Sequence, residues 1–230
     1  MQRQPYGVGS FLHVVQRGAR GAAIVRGKAD KERFLYGLAH LNDEFSAENW
    51  YRDISASGQP SFDRPESWPE QKKIVRILGF CLLTNHYHLL LEEVVEGGTA
   101  KFLQRFGTAM SKHFNQKYYE KGSLFQGPFR SRTVSSDTYL TYVSAYIQTK
   151  NTFDMYKGGL KTAMRDFDAA YGWALTYPYS SLGDYAGIVE RPIIDKAMLS
   201  ERFTPKEYKK FCRDFFDRPE ATVDEVRFEG

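Results

Sequence analysis

The chain has 230 residues, 42% of them hydrophobic and 26% charged, with a formal net charge of +4. This composition is typical of a globular protein, and no apolar run approaches the roughly 20 residues of a membrane span, so we expect no membrane association. The first ten residues lack the apolar stretch of a signal peptide. The two cysteines, Cys81 and Cys212, carry no metal-binding spacing, so we expect them to be reduced in a cytoplasmic protein.

The first part of the chain predicts a strand, a helix and a polar loop. Residues 10–16 (SFLHVVQ) are typical of a strand. Asp30 is placed to cap a helix over about residues 31–48, where apolar side chains recur at helical spacing. Residues 53–72 are polar and contain three prolines, which indicates a loop insertion.

The triplet His86-Tyr87-His88 lies in an apolar run from Leu82 to Leu91, which predicts a buried strand next to another strand over residues 74–80. Residues two apart in a strand point to the same face, so the two imidazoles project side by side. Neutral imidazole is the commonest metal ligand in proteins. His86 and His88 are therefore predicted to be metal ligands. His13, on the first strand, is either an additional ligand or a hydrogen-bonded core residue.

The second half of the chain predicts three further helices around one strand. Gly97-Gly98 interrupts the chain, and Thr99 is placed to cap a long helix over about 100–120. A turn and a strand follow between Leu124 and Val134, and Asp137 is placed to cap a helix over 138–150. Amphipathic helices are expected over 160–173 and 205–217. Strands and helices that alternate irregularly favour an α+β fold, with helices packed on an antiparallel sheet.

The positive charge is concentrated in the middle of the chain. Residues 101–165 contain eleven Lys and Arg but only three acidic residues, a net charge of +8. Such a segment indicates a surface for a polyanion, although a solvated helical face or edge strand would have the same composition. The candidate DNA-binding residues are Lys101, Arg105, Lys112, Arg130 and Arg132.

The helix that begins near Asp137 carries a candidate nucleophile. At about 100° per residue, Tyr146 lies at the edge of the buried face, Lys150 lies one turn later on the same side, and Gln148 points elsewhere. A phenol is a poor nucleophile near pH 7 because its ordinary pKa is about 10. It can attack a phosphodiester when a metal ion polarises the phosphate. The histidine pair, one tyrosine and a basic surface together fit that chemistry.

Taken in order, these pieces resemble the HUH-type single-tyrosine transposases, in particular the REP-associated tyrosine transposases among the IS200-like group. The resemblance extends over about residues 8–187. It rests on His13 to Gly18, Thr84 to Leu90, the basic helix after Gly98, Gly122 to Gly127, Tyr139 to Asn151 and Tyr177 to Ser181.

The resemblance implies a ferredoxin-like sheet in a domain over residues 1–187, followed by a helical extension over 188–230. It implies single-stranded or hairpin-forming DNA as the partner of a monomer or a homodimer. It also implies a bacterial protein that associates with the nucleoid. It also implies a divalent metal, Mg²⁺ or Mn²⁺, on His86 and His88. Tyr146 matches the residue that forms a covalent 5′-phosphotyrosine link.

One position departs from the family pattern, which commonly has Gln or Asn four residues after the tyrosine as a third metal ligand. Here that residue is Lys150, and a protonated lysine cannot bind a metal. Waters, phosphate oxygens or another side chain could complete the site, Lys150 could bind the phosphate directly, or a local unwinding of the helix could bring Asn151 round. The alternatives to a transposase are a DNA-binding protein of the same fold that has lost catalysis and a metal-dependent hydrolase without a covalent step.

Overall fold

The fold is built on a four-stranded antiparallel sheet. A computed structural model of the chain describes residues 5–217. The strands lie in the order β2-β3-β1-β4, and every neighbouring pair is antiparallel. Their bounds are Phe11–Arg17 for β1, Val75–Leu82 for β2, His86–Glu93 for β3 and Arg130–Val134 for β4. The predicted α+β class with an antiparallel sheet is confirmed.

Helices connect the strands and follow the last of them. They are Lys28–His40 (α1), Trp50–Asp53 (α2), Gly98–Tyr118 (α3), Asp137–Ala145 (α4), Asn151–Phe153 (α5), Gly159–Arg165 (α6), Phe167–Thr176 (α7), Leu182–Tyr185 (α8), Ala197–Ser200 (α9) and Pro205–Phe216 (α10). With α1 after β1 and α3 after β3, the core has the β-α-β-β-α-β connectivity of a ferredoxin-like fold. Within residues 5–217, none of these helices combines the length and apolar character needed to cross a membrane.

The two faces of the sheet are covered by different helices. On one face, Leu12 and Val14 of β1 pack with α1 and α3. On the other, Leu90 of β3 packs with α4, α7 and α10. Because alternate residues of a strand point to opposite faces, His86 and His88 share the second face with Leu90. The histidine pair therefore lies under α4 and the turn that follows it.

The predicted capping residues of two helices are wrong by one or two positions. Gly97 precedes α3 with a φ of +72°, a conformation that favours glycine, so Thr99 lies inside the helix. Ser136 rather than Asp137 caps α4, because its hydroxyl accepts a hydrogen bond from the backbone N–H of Tyr139. The helix predicted over 160–173 is divided at Asp166 into α6 and α7.

Asp30 joins the start of α1 to the end of α3. The helix predicted over 31–48 begins before Asp30 and ends at His40, so Asp30 lies in the first turn and not at the cap. Burial of this carboxylate would raise its pKa, but hydrogen bonds hold the pKa well below the ordinary value of 3.8. The donors are the Lys117 ammonium and the Tyr118 hydroxyl, both at 2.6 Å, and the backbone N–H groups of Arg26 and Gly27 at 2.8 and 2.9 Å.

We expect Asp30→Asn to lower the free energy of unfolding at pH 7 by about 2–4 kcal/mol, because it leaves the Lys117 charge without its partner. The expected loss is below that of a fully enclosed pair because the Lys117 side chain is 34% exposed. The folded-state pKa of Asp30 is depressed, so its stabilisation is present above pH 3.8 and is lost as the pH falls below that value. Urea unfolding at pH 7 and in acid measures both effects. Asp137→Asn, at an ion-paired carboxylate that is 74% exposed, is the matched control and should cost under about 1 kcal/mol. Equal losses in the two variants would contradict the prediction.

Candidate active site

Three imidazoles meet on the face of the sheet that lies under α4. The ring centroids of His86 and His88 are 5.1 Å apart, and those of His13 and His88 are 5.2 Å apart. Nε2 of His13 lies 2.9 Å from Nδ1 of His88, so one ring donates a hydrogen bond to the other. His13 and His88 are fully buried, while His86 is partly exposed. Of the two alternatives for His13, the structure bears out the hydrogen-bonded core residue.

The buried imidazoles are neutral at pH 7. Burial lowers the pKa of His13 to about 3, with a further contribution from the charge of Arg132. The pKa of His88 is also well below 6.5, chiefly because of burial and then because of neighbouring charges that include Lys150 and Arg17. Metal ligation requires neutral imidazole, so the electrostatics of the site suit a ligand role.

Hydrogen bonds to Asn85 and His13 engage Nδ1 of each ring in the histidine pair. Nδ1 of His86 lies 2.7 Å from Oδ1 of Asn85, which fixes the proton on Nδ1 and the lone pair on Nε2. Nδ1 of His88 is engaged by His13, and Nε2 of His88 is buried without a hydrogen-bond partner among residues 5–217. In that range no group of three or more His, Cys, Asp and Glu side chains is arranged to hold a metal ion. The residues thus fit a site with two protein ligands that takes its remaining ligands from other groups.

Tyr146 lies over the histidines, although about 60 residues separate them in the sequence. The centroid of its ring is 5.8 Å from that of His13 and 5.8 Å from that of His88. Its side chain is fully buried, whereas the sequence places it at the edge of the buried face. The tyrosine and the histidine pair are therefore brought together as predicted.

A π-helical turn over Tyr146–Lys150 changes the angular positions expected for an α-helix. The backbone N–H of Asn151 donates to the carbonyl of Tyr146, so Asn151 is one hydrogen-bonded turn beyond the tyrosine. Asn151 is buried, and its Nδ2 has no hydrogen-bond partner in the described part of the chain. Gln148 is fully buried as well and packs near Gly79 of β2. The π-turn is therefore a local change of helical pitch of the kind that could turn Asn151 towards the side of Tyr146.

Lys150 places a cation beside the tyrosine. Its Nζ is 5.3 Å from the centroid of the Tyr146 ring and 2.9 Å from Oδ2 of Asp154. The side chain is mostly buried, and its charge contributes to the low pKa of His88. Lys150 therefore lies on the Tyr146 side, as its spacing predicts.

Arginines on the edge strand share the face of the histidines. In the register of the sheet, Arg130 is opposite Val15 and Arg132 is opposite His13. Arg17, which is opposite His86, was not among the predicted site residues. The period of two from His13 to Arg17 is the sequence signal that could have identified it.

The three basic residues predicted on α3 lie on the other side of the sheet. Arg105 donates hydrogen bonds to backbone carbonyls that include that of Asp43, at 2.5 Å, and so holds a loop. Lys101 is exposed, and Lys112 lines a separate groove of about 470 Å³. The structure does not bring Lys101, Arg105 or Lys112 to the histidine pair.

Comparison with known proteins agrees with this geometry. Residues 68–150 match the family model described as "Transposase IS200 like". The matched segment includes β2, β3, α3, β4, α4 and the π-turn. It therefore contains His86, His88 and Tyr146, and it confirms the resemblance inferred from the sequence. The match supports a transposase-type, DNA-processing enzyme.

The chain is also similar to a solved structure of a REP-associated tyrosine transposase bound to a REP hairpin. The sequences are 14% identical, the TM-score is 0.45, and the alignment covers 86% of this chain and 92% of the other. No curated protein matches the chain.

Proposed function

We propose that this protein cleaves and rejoins single-stranded DNA through a covalent 5′-phosphotyrosine intermediate at Tyr146. The observation that carries the proposal is the position of the Tyr146 ring, 5.8 Å from the buried imidazoles of His13 and His88 in the three-histidine cluster. A hairpin-forming single strand is the proposed substrate. Arg130 and Arg132, on the same face, are the proposed DNA contacts nearest to the histidines.

His86 and His88 would hold a divalent metal, Mg²⁺ or Mn²⁺, which when bound supplies Lewis-acid polarisation of the scissile phosphate. His13 would act on His88 and not on the substrate: for Nε2 of His88 to bind a metal, Nδ1 must carry the proton and donate it to Nε2 of His13, which would then hold that tautomer. Asn85 has the same role for His86. Both contacts are present in the folded protein before DNA binds.

In the cleavage step the Tyr146 hydroxyl oxygen attacks the phosphorus. The bond from the tyrosine oxygen to phosphorus forms, the bond from phosphorus to the 3′ oxygen breaks, and the hydroxyl proton of the tyrosine ends on that 3′ oxygen. The protein keeps the 5′ phosphate and a 3′ hydroxyl leaves. Attack by a new 3′ hydroxyl reverses the step and restores Tyr146, so strand transfer needs no other reactant. Because Tyr146 is fully buried, the segment that covers it must move to admit the phosphate.

Lys150 is proposed to bind a nonbridging oxygen of the scissile phosphate. A lysine ammonium is a compact donor of three hydrogen bonds that can neutralise charge developing in the transition state. Asp154 keeps the side chain extended along the helix beside Tyr146. The alternative role belongs to Asn151, whose amide oxygen could serve as a third metal ligand, and the π-turn is the observation that favours it.

We expect Lys150→Gln to lower the rate of adduct formation by about 10²-fold, the typical cost of removing one transition-state donor, without weakening Mn²⁺ binding. Lys150→Arg should restore part of the rate because the charge is retained. Single-turnover cleavage and Mn²⁺ titration measure the two quantities. Asn151→Ala is the matched variant at the next residue. If Asn151→Ala weakens Mn²⁺ binding and Lys150→Gln leaves the rate intact, Asn151 is the third metal ligand and neither residue binds the phosphate.

The deciding experiment for the activity uses a panel of end-labelled, hairpin-flanked oligonucleotides with Mg²⁺ or Mn²⁺. A covalent protein–DNA adduct on a denaturing gel, formed with metal and absent with chelator, is the expected result. The second candidate function is DNA binding without catalysis, favoured by Lys150 at the position where the family has an amide. It predicts salt-sensitive binding that chelator does not change, with no adduct on any oligonucleotide.

We assign the catalytic domain to residues 1–187 and a helical extension to residues 188–230, of which residues 1–4 and 218–230 lie outside the described part. The extension packs on the catalytic helix. The ring of Phe211 in α10 lies 5.5 Å from that of Tyr142, and the Tyr208 hydroxyl is 3.0 Å from the Ser144 hydroxyl. These contacts support a role for α10 in holding α4 over the histidines.

A further inference from the structure

A small polar pocket lies at the end of β1 that is nearest to His86. Its volume is about 250 Å³, and it is formed by the end of β1, the start of β4 and the loop between Gln126 and Pro128. Two hydrogen bonds hold that loop in place. The backbone N–H of Gln126 donates to the carbonyl of Arg17 at 2.9 Å, and Nε2 of Gln16 donates to the carbonyl of Gly127 at 3.2 Å. The pocket is therefore fixed by contacts to the central strand.

The polar groups of the pocket suit an anion. Arg17 and Arg130 line it together with two glutamines, and no carboxylate contributes to the lining. Neither arginine forms an ion pair with any residue between 5 and 217. Nε of Arg17 is buried and has no hydrogen-bond partner in that range. A buried donor without a partner is unfavourable, so a bound group that accepts a hydrogen bond from it would remove that cost.

The pocket opens beside the proposed catalytic residues. Arg17 is opposite His86, and Val15, which also lines the pocket, is opposite both His88 and Arg130. These residues share one face of the sheet, with adjacent strands about 4.8 Å apart. A strand of DNA held at His86 and His88 would therefore pass the pocket within one or two nucleotides.

We propose that Arg17 and Arg130 form a binding site for a single phosphodiester of the DNA strand, next to the phosphate that is cleaved. Guanidinium presents its donors in a planar fork that matches two phosphate oxygens, which makes arginine better suited than lysine to fix the position of a phosphate. The two glutamines offer neutral donors and acceptors to the adjoining sugar or base. The assignment of the strand rests on the proposed function, whereas the affinity for a phosphodiester does not.

The test measures binding of a labelled single-stranded oligonucleotide by fluorescence anisotropy, with chelator present and in the Tyr146→Phe protein, so that no chemistry is required. Arg17→Gln and Arg130→Gln should each weaken binding about tenfold at low salt. Each should also reduce the slope of log affinity against log salt by about 0.7, the value for one phosphate contact on a single strand. Lys28→Gln removes the same charge from α1, where the side chain is 81% exposed, and should change neither quantity. Arg17→Lys should recover the slope but only part of the affinity.

A second measurement locates the contact. A neutral methylphosphonate is placed at each position in turn along the oligonucleotide. At one position near the cleaved phosphate, the methylphosphonate should weaken DNA binding by the parent protein but not by the Arg130→Gln protein. Losses by Arg17→Gln and Arg130→Gln no larger than that of Lys28→Gln would overturn the proposal. Because Arg130 is exposed, its variant carries the test if thermal melting shows that Arg17→Gln is poorly folded. Loss of binding in these variants without any adduct in the parent protein would refute the catalytic proposal and leave the pocket assignment standing.

Discussion

The Tyr146→Phe protein is expected to form at least 10³-fold less covalent adduct with DNA than the parent protein, while its DNA affinity changes by less than about twofold. The substitution removes one hydroxyl and keeps the ring, which packs against His13 and His88. Only the hydroxyl can form the phosphotyrosine bond, so the effect falls on covalent chemistry and not on the fold. A denaturing gel of labelled oligonucleotide with Mn²⁺ measures the adduct, and anisotropy measures affinity.

Tyr142→Phe is the matched control. Tyr142 lies one turn earlier on α4, where its ring packs on Phe211 of α10 and not on the histidines. Its hydroxyl should be dispensable for adduct formation. An adduct that persists in Tyr146→Phe would assign the nucleophile to another residue. Cleavage that persists without an adduct would show a metal-dependent hydrolase instead of a transposase-type enzyme.

The part of the site that lies on strands could be predicted from the sequence because a strand has a simple period. The predicted strand over Leu82 to Leu91 is divided by a turn, and its second part lies in β3, which begins at His86. Residues two apart in that strand share a face, so His86 and His88 project together. The same rule applied to β1 relates His13 to Arg17. What the period does not give is the register between strands, and only the register places Arg17 opposite His86.

The helical part of the site was harder to predict because it is not an ordinary α-helix. An angle of about 100° per residue assumes 3.6 residues per turn, and the π-turn after Ala145 breaks that assumption. Gln148 is fully buried beside Gly79 of β2, a position that the α-helical angles do not give. The backbone N–H of Asn151, five residues after the tyrosine, makes the hydrogen bond to the Tyr146 carbonyl that Lys150 would make in an α-helix.

Charge counting predicted a basic segment but not its location in space. The excess over residues 101–165 includes Lys117, which binds Asp30, and Arg105, which binds backbone carbonyls. Both cations are engaged in contacts within the fold. A count of charges along the sequence cannot separate them from Arg130, because the distinction depends on which face of the sheet each element covers.

The charges around the histidines have a consequence for metal binding. Lys150 and Arg17 both act on His88, where they favour an anion and disfavour a cation. A divalent metal would therefore bind weakly before DNA arrives and more tightly after a phosphate has offset these charges. By thermodynamic linkage the metal would strengthen DNA binding by the same factor. Metal and DNA should thus bind cooperatively, and metal affinity should be measured with DNA present.

We expect His88→Gln to weaken Mn²⁺ binding by more than 10²-fold and to abolish metal-dependent adduct formation. The variant removes one of the two proposed ligands, whose Nε2 is buried and has no hydrogen-bond partner within residues 5–217. His13→Gln should weaken Mn²⁺ binding by about 10–100-fold, the usual cost of losing a residue that orients a ligand. Electron paramagnetic resonance of Mn²⁺, with uncleaved oligonucleotide and the Tyr146→Phe background, reads the affinity without any reaction.

His40→Gln is the control for the loss of a buried imidazole. His40 is also buried, but its Nε2 lies 2.9 Å from the carbonyl oxygen of Ser61, away from the three-histidine cluster. Its replacement should change thermal stability and leave Mn²⁺ affinity unaltered. The order of affinities, from the control through His13→Gln to His88→Gln, separates a ligand from a residue that positions it. Equal Mn²⁺ affinity in the parent and His88→Gln proteins would exclude the histidine pair as the metal site, because His88→Gln removes one of its two proposed ligands.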